Sequence, residues 1–486
     1  MLEHLLSQNF ILMTDGYKAC HHSQIPQHVD YTYTVAVPRQ VAPYADEIVA
    51  AGQSLIASFL ASVRITEEMI NEAEIEINEQ GYEFNRAGWE RISRDFDGKL
   101  PIRLMGVEEG RVIKAQTPML GWINTSPGFA WLCGDLETFI QCISWKMSTV
   151  ASICKKTRSI LQKYAELTGT TADISYMLHN FGDRGADSPE AAVIAGIAHA
   201  MLFDGSDCLQ VNRYVKKLYG TSKPTTSSID ASEHYTMTSN SLCSEKNDFG
   251  AARMIVERLE AAVKRSKEQN IGIPFVSGVI DTYDDERFVS EFIGERLKDR
   301  IINSGGRFIA RPDSGDPTTK PGQIGQILDE KFGSTINEKG YKVLHPSVGV
   351  IQGDGLTINN VERVIKGWVD AGFSLDNFCL GMGSGITHDG RRDDFSFSVK
   401  AIANKKLDSW VSLIKDPKTD SGKKSLTGLA RCREDKNGTL EVVDNLKEMS
   451  GELQMWNDQP GWKLWFVDGY RTNRQSWAEV KQRARA

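Results

Sequence analysis

Several things are missing from this chain, and each absence removes a class of function. No run of 18 apolar residues occurs, so no segment reads as a membrane-crossing helix. The eight cysteines are scattered, with neither a Cys-x-x-Cys pair nor zinc-ligand spacing, and read as reduced, mostly buried thiols. Positive charge is outweighed: 57 Lys and Arg face 64 Asp and Glu, a net −7 that argues against general nucleic-acid affinity. Any phosphate site must therefore be a local cluster of cations. Proline is sparse, at 15 residues, and no low-complexity tract or internal repeat is present, which excludes a disordered, fibrous or solenoid chain. Met1 to Met13 carries no basic leader and no small-residue cleavage site, so a cytoplasmic protein is expected.

What is present is enough chain, 486 residues, for two domains with substantial cores. Helical spacing is expected over Asp46 to Ser62, Glu67 to Gln80 and Arg86 to Asp95, and strands over Tyr31 to Val37 and around a Glu108-Glu-Gly-Arg turn between Pro101 and Thr117. Leu132 to Tyr164 is long enough for two packed helices. After Thr170 the pattern becomes a repeated unit: an apolar strand, a polar or glycine-rich turn, then a helix. Five such strands start at Tyr176, Pro274, Phe308, Ser347 and Asn377. Past residue 390 strands return, and Trp462 to Val467, Asp468-Gly469 and Tyr470-Arg471 carry a hairpin signal, with a capping box at Ser476 and Glu479. This predicts an α/β fold: an irregular β/α barrel over 166–390, with 1–165 and 391–486 forming a discontinuous, β-rich outer and dimerisation domain.

The centre of that pattern is Gly306 to Pro317. Phe308-Ile309-Ala310 is an apolar run of the kind buried on both faces, and it stops at Arg311-Pro312-Asp313-Ser314-Gly315-Asp316. Strand ends elsewhere supply Arg184, Asp281, Asp354 and glycines 353, 355, 381, 383 and 385. Carboxylates suit a ribose diol or hydrated magnesium, arginines grip phosphate, and glycines admit backbone donors to phosphate oxygens. Together they describe a phosphorylated sugar.

The ordered set His179-Asn-Phe-Gly-Asp-Arg-Gly185, Ser232-Glu-His234, Arg311-Pro-Asp-Ser-Gly315, Ile351-Gln-Gly-Asp-Gly355 and Gly381-Met-Gly-Ser-Gly385 resembles the nicotinamide phosphoribosyltransferase family. Thr14-Asp-Gly-Tyr-Lys18, Gly52-Gln53 and Lys415-Asp-Pro417 extend the resemblance over nearly the whole chain. It implies transfer of phosphoribose from phosphoribosyl pyrophosphate to nicotinamide, with Mg2+ and ATP, in a homodimer with shared sites. By resemblance, Phe181 and the other subunit's Tyr17 sandwich the ring, with Asp15 and Arg311 nearby, and Asp207 accepts from the carboxamide. Arg184, Asp281, Asp313, Gly353, Asp354, Gly383 and Ser384 serve ribose, pyrophosphate and magnesium, with Asp281 and Asp313 as metal carboxylates acting through water. Arg392, Ser398, Lys400, Lys415 and Lys423 serve phosphate, and His234 becomes phosphorylated by ATP.

Plainer readings stand beside these: core packing for Phe181, a helix N-cap for Asp207, a hydrogen-bonded histidine for His234, a solvated surface for the lysine loop. The family has Asp where Asn180 stands, an aromatic residue at Asp183 and glycine at Ser384. Rival functions are the nicotinate enzyme and a non-catalytic binding or signalling protein on the same fold. A metal-dependent hydrolase lacks a histidine-carboxylate ligand cluster in the sequence.

Overall fold

The computed structural model describes residues 8–270, 274–407, 409–419, 424–444 and 457–486. It divides into two compact units, one of residues 1–152, 214–222 and 390–486, the other of 153–213 and 223–389.

The second unit is built on a seven-stranded sheet. Its strands are β1 (Leu178–Asn180), β2 (Gly205–Ser206), β3 (Asp230–Ala231), β4 (Phe275–Val279), β5 (Arg307–Arg311), β6 (Val348–Gln352) and β7 (Phe378–Met382). All neighbouring pairs are parallel, in the spatial order 2-1-7-6-5-4-3. The two edges approach each other through one short segment: Ser227 bridges Gly205 beside β2, and Asp230-Ala231 pairs with β4. The central strands are apolar because both faces are covered, and every residue of β6 is buried. The expected mixed α/β chain with a parallel sheet in its middle is met.

The first unit holds a seven-stranded antiparallel sheet whose order interleaves the chain's two ends. Phe397–Lys406 pairs with Val29–Pro38, and Lys463–Val467 pairs with Ile102–Gly106. The hairpin Lys463–Val467/Tyr470–Arg471 and the Ser476 capping box are present, as is the Arg86–Asp95 helix.

Two expectations are corrected. Leu132–Thr168 is one helix of 37 residues, not two packed helices: its sole glycine, Gly134, lies in the first turn and it contains no proline to break it. The strands expected on either side of the Glu108 turn are present, Ile102–Gly106 and Val112–Ile113, and they pair with Leu120–Asn124 and Ile48–Val49, not with each other. The helix expected after the Pro274 strand, over Glu286 to Leu297, is also not a plain α-helix. A short turn at Asp285–Arg287 runs into a π-helical segment at Phe288–Arg296, then an α-helix at Lys298–Ser304. None of the described helices is long and apolar enough to cross a membrane.

Candidate active site

The carboxyl ends of the parallel strands carry most of the expected residues in the second unit. β5 ends at Arg311, and the turn that follows places the Asp313 amide 3.1 Å from Asp281 Oδ2, which it donates to. Ser314 Oγ donates to the same oxygen. These two donors hold Asp281, whose side chain is almost buried at 7% exposure, leaving its Oδ1 with no hydrogen bond. His234, the first residue of the helix His234–Ser239, sits between two acids, with Nε2 3.3 Å from Asp281 and Nδ1 3.7 Å from Asp313. Its half-exposed ring is therefore not a packed core histidine.

Arg311 Nε lies 3.9 Å from Asp313 and makes no hydrogen bond, although it is buried. A charged donor left open at a strand end is a group waiting for an anion or carbonyl. Gly353 lets the Arg311 stem pass, since a Cβ there would stand 3.1 Å from Arg311 Cδ. Asp354 contributes its backbone carbonyl to Gln352 Nε2 at 3.0 Å. Gly383 and Ser384 open a one-turn helix, Ser384–Thr387, after β7.

Phe181 follows β1, its amide bonded to Met382 O at 3.0 Å. Its ring fills the space over Gly381, where an added Cβ would meet Phe181 Cε2 at 2.2 Å, so the glycine and the ring position require each other. Arg184 is almost fully exposed, 3.7 Å from Glu233. Asp207 lies two residues ahead of the helix Leu209–Tyr219, and its amide donates to Asn180 O at 3.1 Å. Its carboxylate accepts from Ser228 Oγ, a side chain of no motif in the sequence.

Phe181, Asp207 and Arg311 line a cavity of about 340 Å³ that continues between the strands, past Ser277 and Ile309, to Arg307 and Asp376 near the amino ends. His179 also lines it, and burial holds that imidazole below its usual pKa. An apolar slot with polar groups at its ends suits a flat ring carrying a polar substituent.

The sequence departures find local partners. Asn180 Oδ1 accepts from the Gly182 amide at 2.8 Å, keeping the turn after β1 closed. Asp183 takes up the Cys208 thiol, and burial first, then this contact, pushes that thiol up to about 12.

The remaining expected residues lie in the first unit. Tyr17 is 54% exposed in the turn Gly16–Lys18, and Asp15 accepts from Thr138 Oγ1 at 2.8 Å. Lys400 is held below the usual lysine pKa, first by burial and further by Lys415, Arg39 and Lys18, against an opposing pull from Glu137. Of these cations Lys18 is itself paired with Glu137 at 2.8 Å. Arg39 was not among the sequence candidates, because an isolated cation carries no pattern, and Lys18 entered only as the end of the Thr14–Lys18 motif. Ser398 lies on the strand Phe397–Lys406 beside them, while Arg392 is exposed against Asp393. Lys423 lies outside the described residues.

Residues 176–450 match the model of the nicotinate phosphoribosyltransferase (NAPRTase) family, and residues 9–104 match the nicotinamide phosphoribosyltransferase N-terminal domain. The chain belongs to the nicotinate phosphoribosyltransferase family. A nicotinamide phosphoribosyltransferase of Xanthomonas campestris pv. campestris is 30% identical over 96% of this chain and 98% of its own. One of Acinetobacter baylyi is 32% identical over 90% of this chain and 91% of its own. The fold is shared with the nicotinate-nucleotide pyrophosphorylase of Pyrococcus furiosus, with a TM-score of 0.61 at 13% identity over 97% of this chain and 93% of that one. Human nicotinic acid phosphoribosyltransferase gives a TM-score of 0.54 at 15% identity over 97% and 93% of the two chains.

Proposed function

We propose that this member of the family transfers the 5-phosphoribosyl group of phosphoribosyl pyrophosphate to nicotinamide, giving nicotinamide mononucleotide and pyrophosphate. The observation that carries the choice of base is Asp207, a carboxylate beside Phe181 at the mouth of an apolar cavity, able to accept from a carboxamide and ill suited to a carboxylate. The relatives named for nicotinamide support it. The parallel sheet is then an irregular β/α barrel closed by 227–231, and residues 1–165 with 391–486 act as the outer domain of a cytoplasmic homodimer that brings Tyr17 and Asp15 to the partner's ring site.

In the reaction, the C1′–O bond to pyrophosphate breaks as the pyridine nitrogen bonds C1′. Positive charge builds on the ribose during this step, and the carboxylates of Asp281 and Asp313 stabilise it. Arg311 binds and orients the base, and Lys400 and Lys415 of the outer domain serve as phosphate ligands. Asp281 and Asp313, both within 4 Å of His234, are the carboxylates that would hold a hard cation. Among the described residues no group of three or more His, Cys, Asp or Glu side chains is placed to hold an ion. When bound, Mg2+ adds charge neutralisation at pyrophosphate.

The same site couples ATP. His234 is flanked by two acids, so one carboxylate accepts its N–H and the other ring nitrogen keeps its lone pair for the γ-phosphorus. An N–P bond forms, ADP leaves, and water later releases phosphate. His234→Ala is expected to abolish ATP hydrolysis and its stimulation of synthesis while slow, ATP-independent synthesis persists. Continued hydrolysis by the variant, with no phosphate on His234 by mass spectrometry at neutral pH, would refute the coupling.

A further inference from the structure

Ser228 grips Asp207. Its hydroxyl donates to Asp207 Oδ1, and the carboxylate has no other hydrogen bond among the described residues. Without that donor Asp207, an exposed residue at the end of a two-residue strand, would be free to turn into solvent. The backbone around both residues is fixed from several directions. Ser206 N donates to Ser227 O at 3.0 Å, Ser227 N to Asp204 O at 2.8 Å, and Asp207 N to Asn180 O at 3.1 Å. Ser228 is thus held one residue past a bridge to the strand that carries Asp207, and both side chains line the same cavity as Phe181. The neighbouring groups are a poor substitute. The His179 ring is packed against Gly205, and the Cys208 thiol is engaged by Asp183.

We propose that Ser228 is a positioning residue that fixes one oxygen of Asp207 so that the other faces the pyridine substituent, and that this hydroxyl sets the preference for an amide over a carboxylate. The inference rests on the nicotinamide reading of the site. A hydroxyl can satisfy only one oxygen of a carboxylate at a time, so the bond both selects a rotamer and leaves the second oxygen as an acceptor. The carboxamide N–H of nicotinamide then meets a preorganised partner, whereas the loss of the bond makes substrate binding supply the ordering. The same bond keeps negative charge near the ring substituent, where it repels nicotinate.

The test compares Ser228→Ala, Ser228→Cys and Ser228→Thr in the full-length protein, with nicotinamide, nicotinate and phosphoribosyl pyrophosphate each varied. Cysteine keeps the volume while weakening the donor, which separates loss of the bond from a folding defect; threonine restores the hydroxyl. On the order of a tenfold rise in KM for nicotinamide is expected for Ala and Cys, from the size of a charge-assisted hydrogen bond. The KM for phosphoribosyl pyrophosphate should move less than about twofold, the nicotinamide-to-nicotinate ratio of kcat/KM should narrow, and Thr should recover both. If both substrates' KM values rise together, if the base ratio stays at the wild-type value, or if Thr fails to recover it, the positioning role is overturned. Wild-type protein that turns over neither base would instead overturn the nicotinamide reading itself.

Discussion

Replacing Asp207 by asparagine removes one negative charge from the mouth of the base cavity while keeping a group of the same shape. The introduced amide can still take the Ser228 hydrogen bond through its oxygen, so the local backbone should hold. With the natural residue, a nicotinate carboxylate would sit about 4 Å from a like charge, worth between ~1 kcal/mol in a water-like setting and ~4 kcal/mol at an effective dielectric near 20. Asp207 is exposed, so the lower half of that range applies. A repulsion of about 2 kcal/mol corresponds to roughly thirtyfold discrimination. Asp207→Asn is therefore expected to narrow the nicotinamide-to-nicotinate ratio of kcat/KM by about that factor, partly by losing the acceptor for the amide and partly by admitting the acid. Initial rates with both bases, with mononucleotides separated by chromatography, give the ratio directly. A variant that still makes product with the wild-type ratio would place base selection at residues other than Asp207.

Two further outcomes follow from the arrangement. Tyr17→Ala and Arg311→Ala chains, each inactive alone, should regain part of the activity when mixed as heterodimers, since one composite site is then intact; heterodimers of verified composition without activity would contradict shared sites. Lys400→Met should raise the melting temperature near neutral pH while destroying affinity for pyrophosphate, because a half-buried ammonium among Lys415, Arg39 and Lys18 is disfavoured in the folded chain. The sign follows from its lowered pKa: between that value and the unfolded one near 10.4 the unfolded chain binds more protons, so wild-type stability rises with pH there, and the variant should lose that rise. A lower melting temperature, or an unchanged pH dependence, would show that the cluster imposes no strain.

Much of this architecture is legible in the residues where local and tertiary signals agree. Arg86–Asp95, the Lys463–Arg471 hairpin and the strand ending at Arg311 each combine a clear period with a stop signal, and each is found where expected. The strands Gly205–Ser206 and Asp230–Ala231 were invisible because two residues carry no period; pairing to neighbours defines them, not composition. The π-helical segment at Phe288–Arg296 has the apolar content of an ordinary helix, and its wider hydrogen-bond pattern leaves no sequence mark. Within the site, glycine-flanked acids and arginines stood out, whereas Ser314 was legible only as part of the Arg311–Gly315 motif and Ser228 not at all. Both are serines in polar runs, and only folding shows which carboxylate each one holds.

Phosphoribosyl transfer to nicotinamide is tested by incubating purified protein with phosphoribosyl pyrophosphate, Mg2+ and either nicotinamide or nicotinate, with and without ATP, and measuring the mononucleotide and pyrophosphate formed. Nicotinamide mononucleotide and pyrophosphate in equal amounts, accelerated by ATP and far ahead of nicotinate mononucleotide, are expected. Faster product from nicotinate, or no pyrophosphate release with either base, would contradict it.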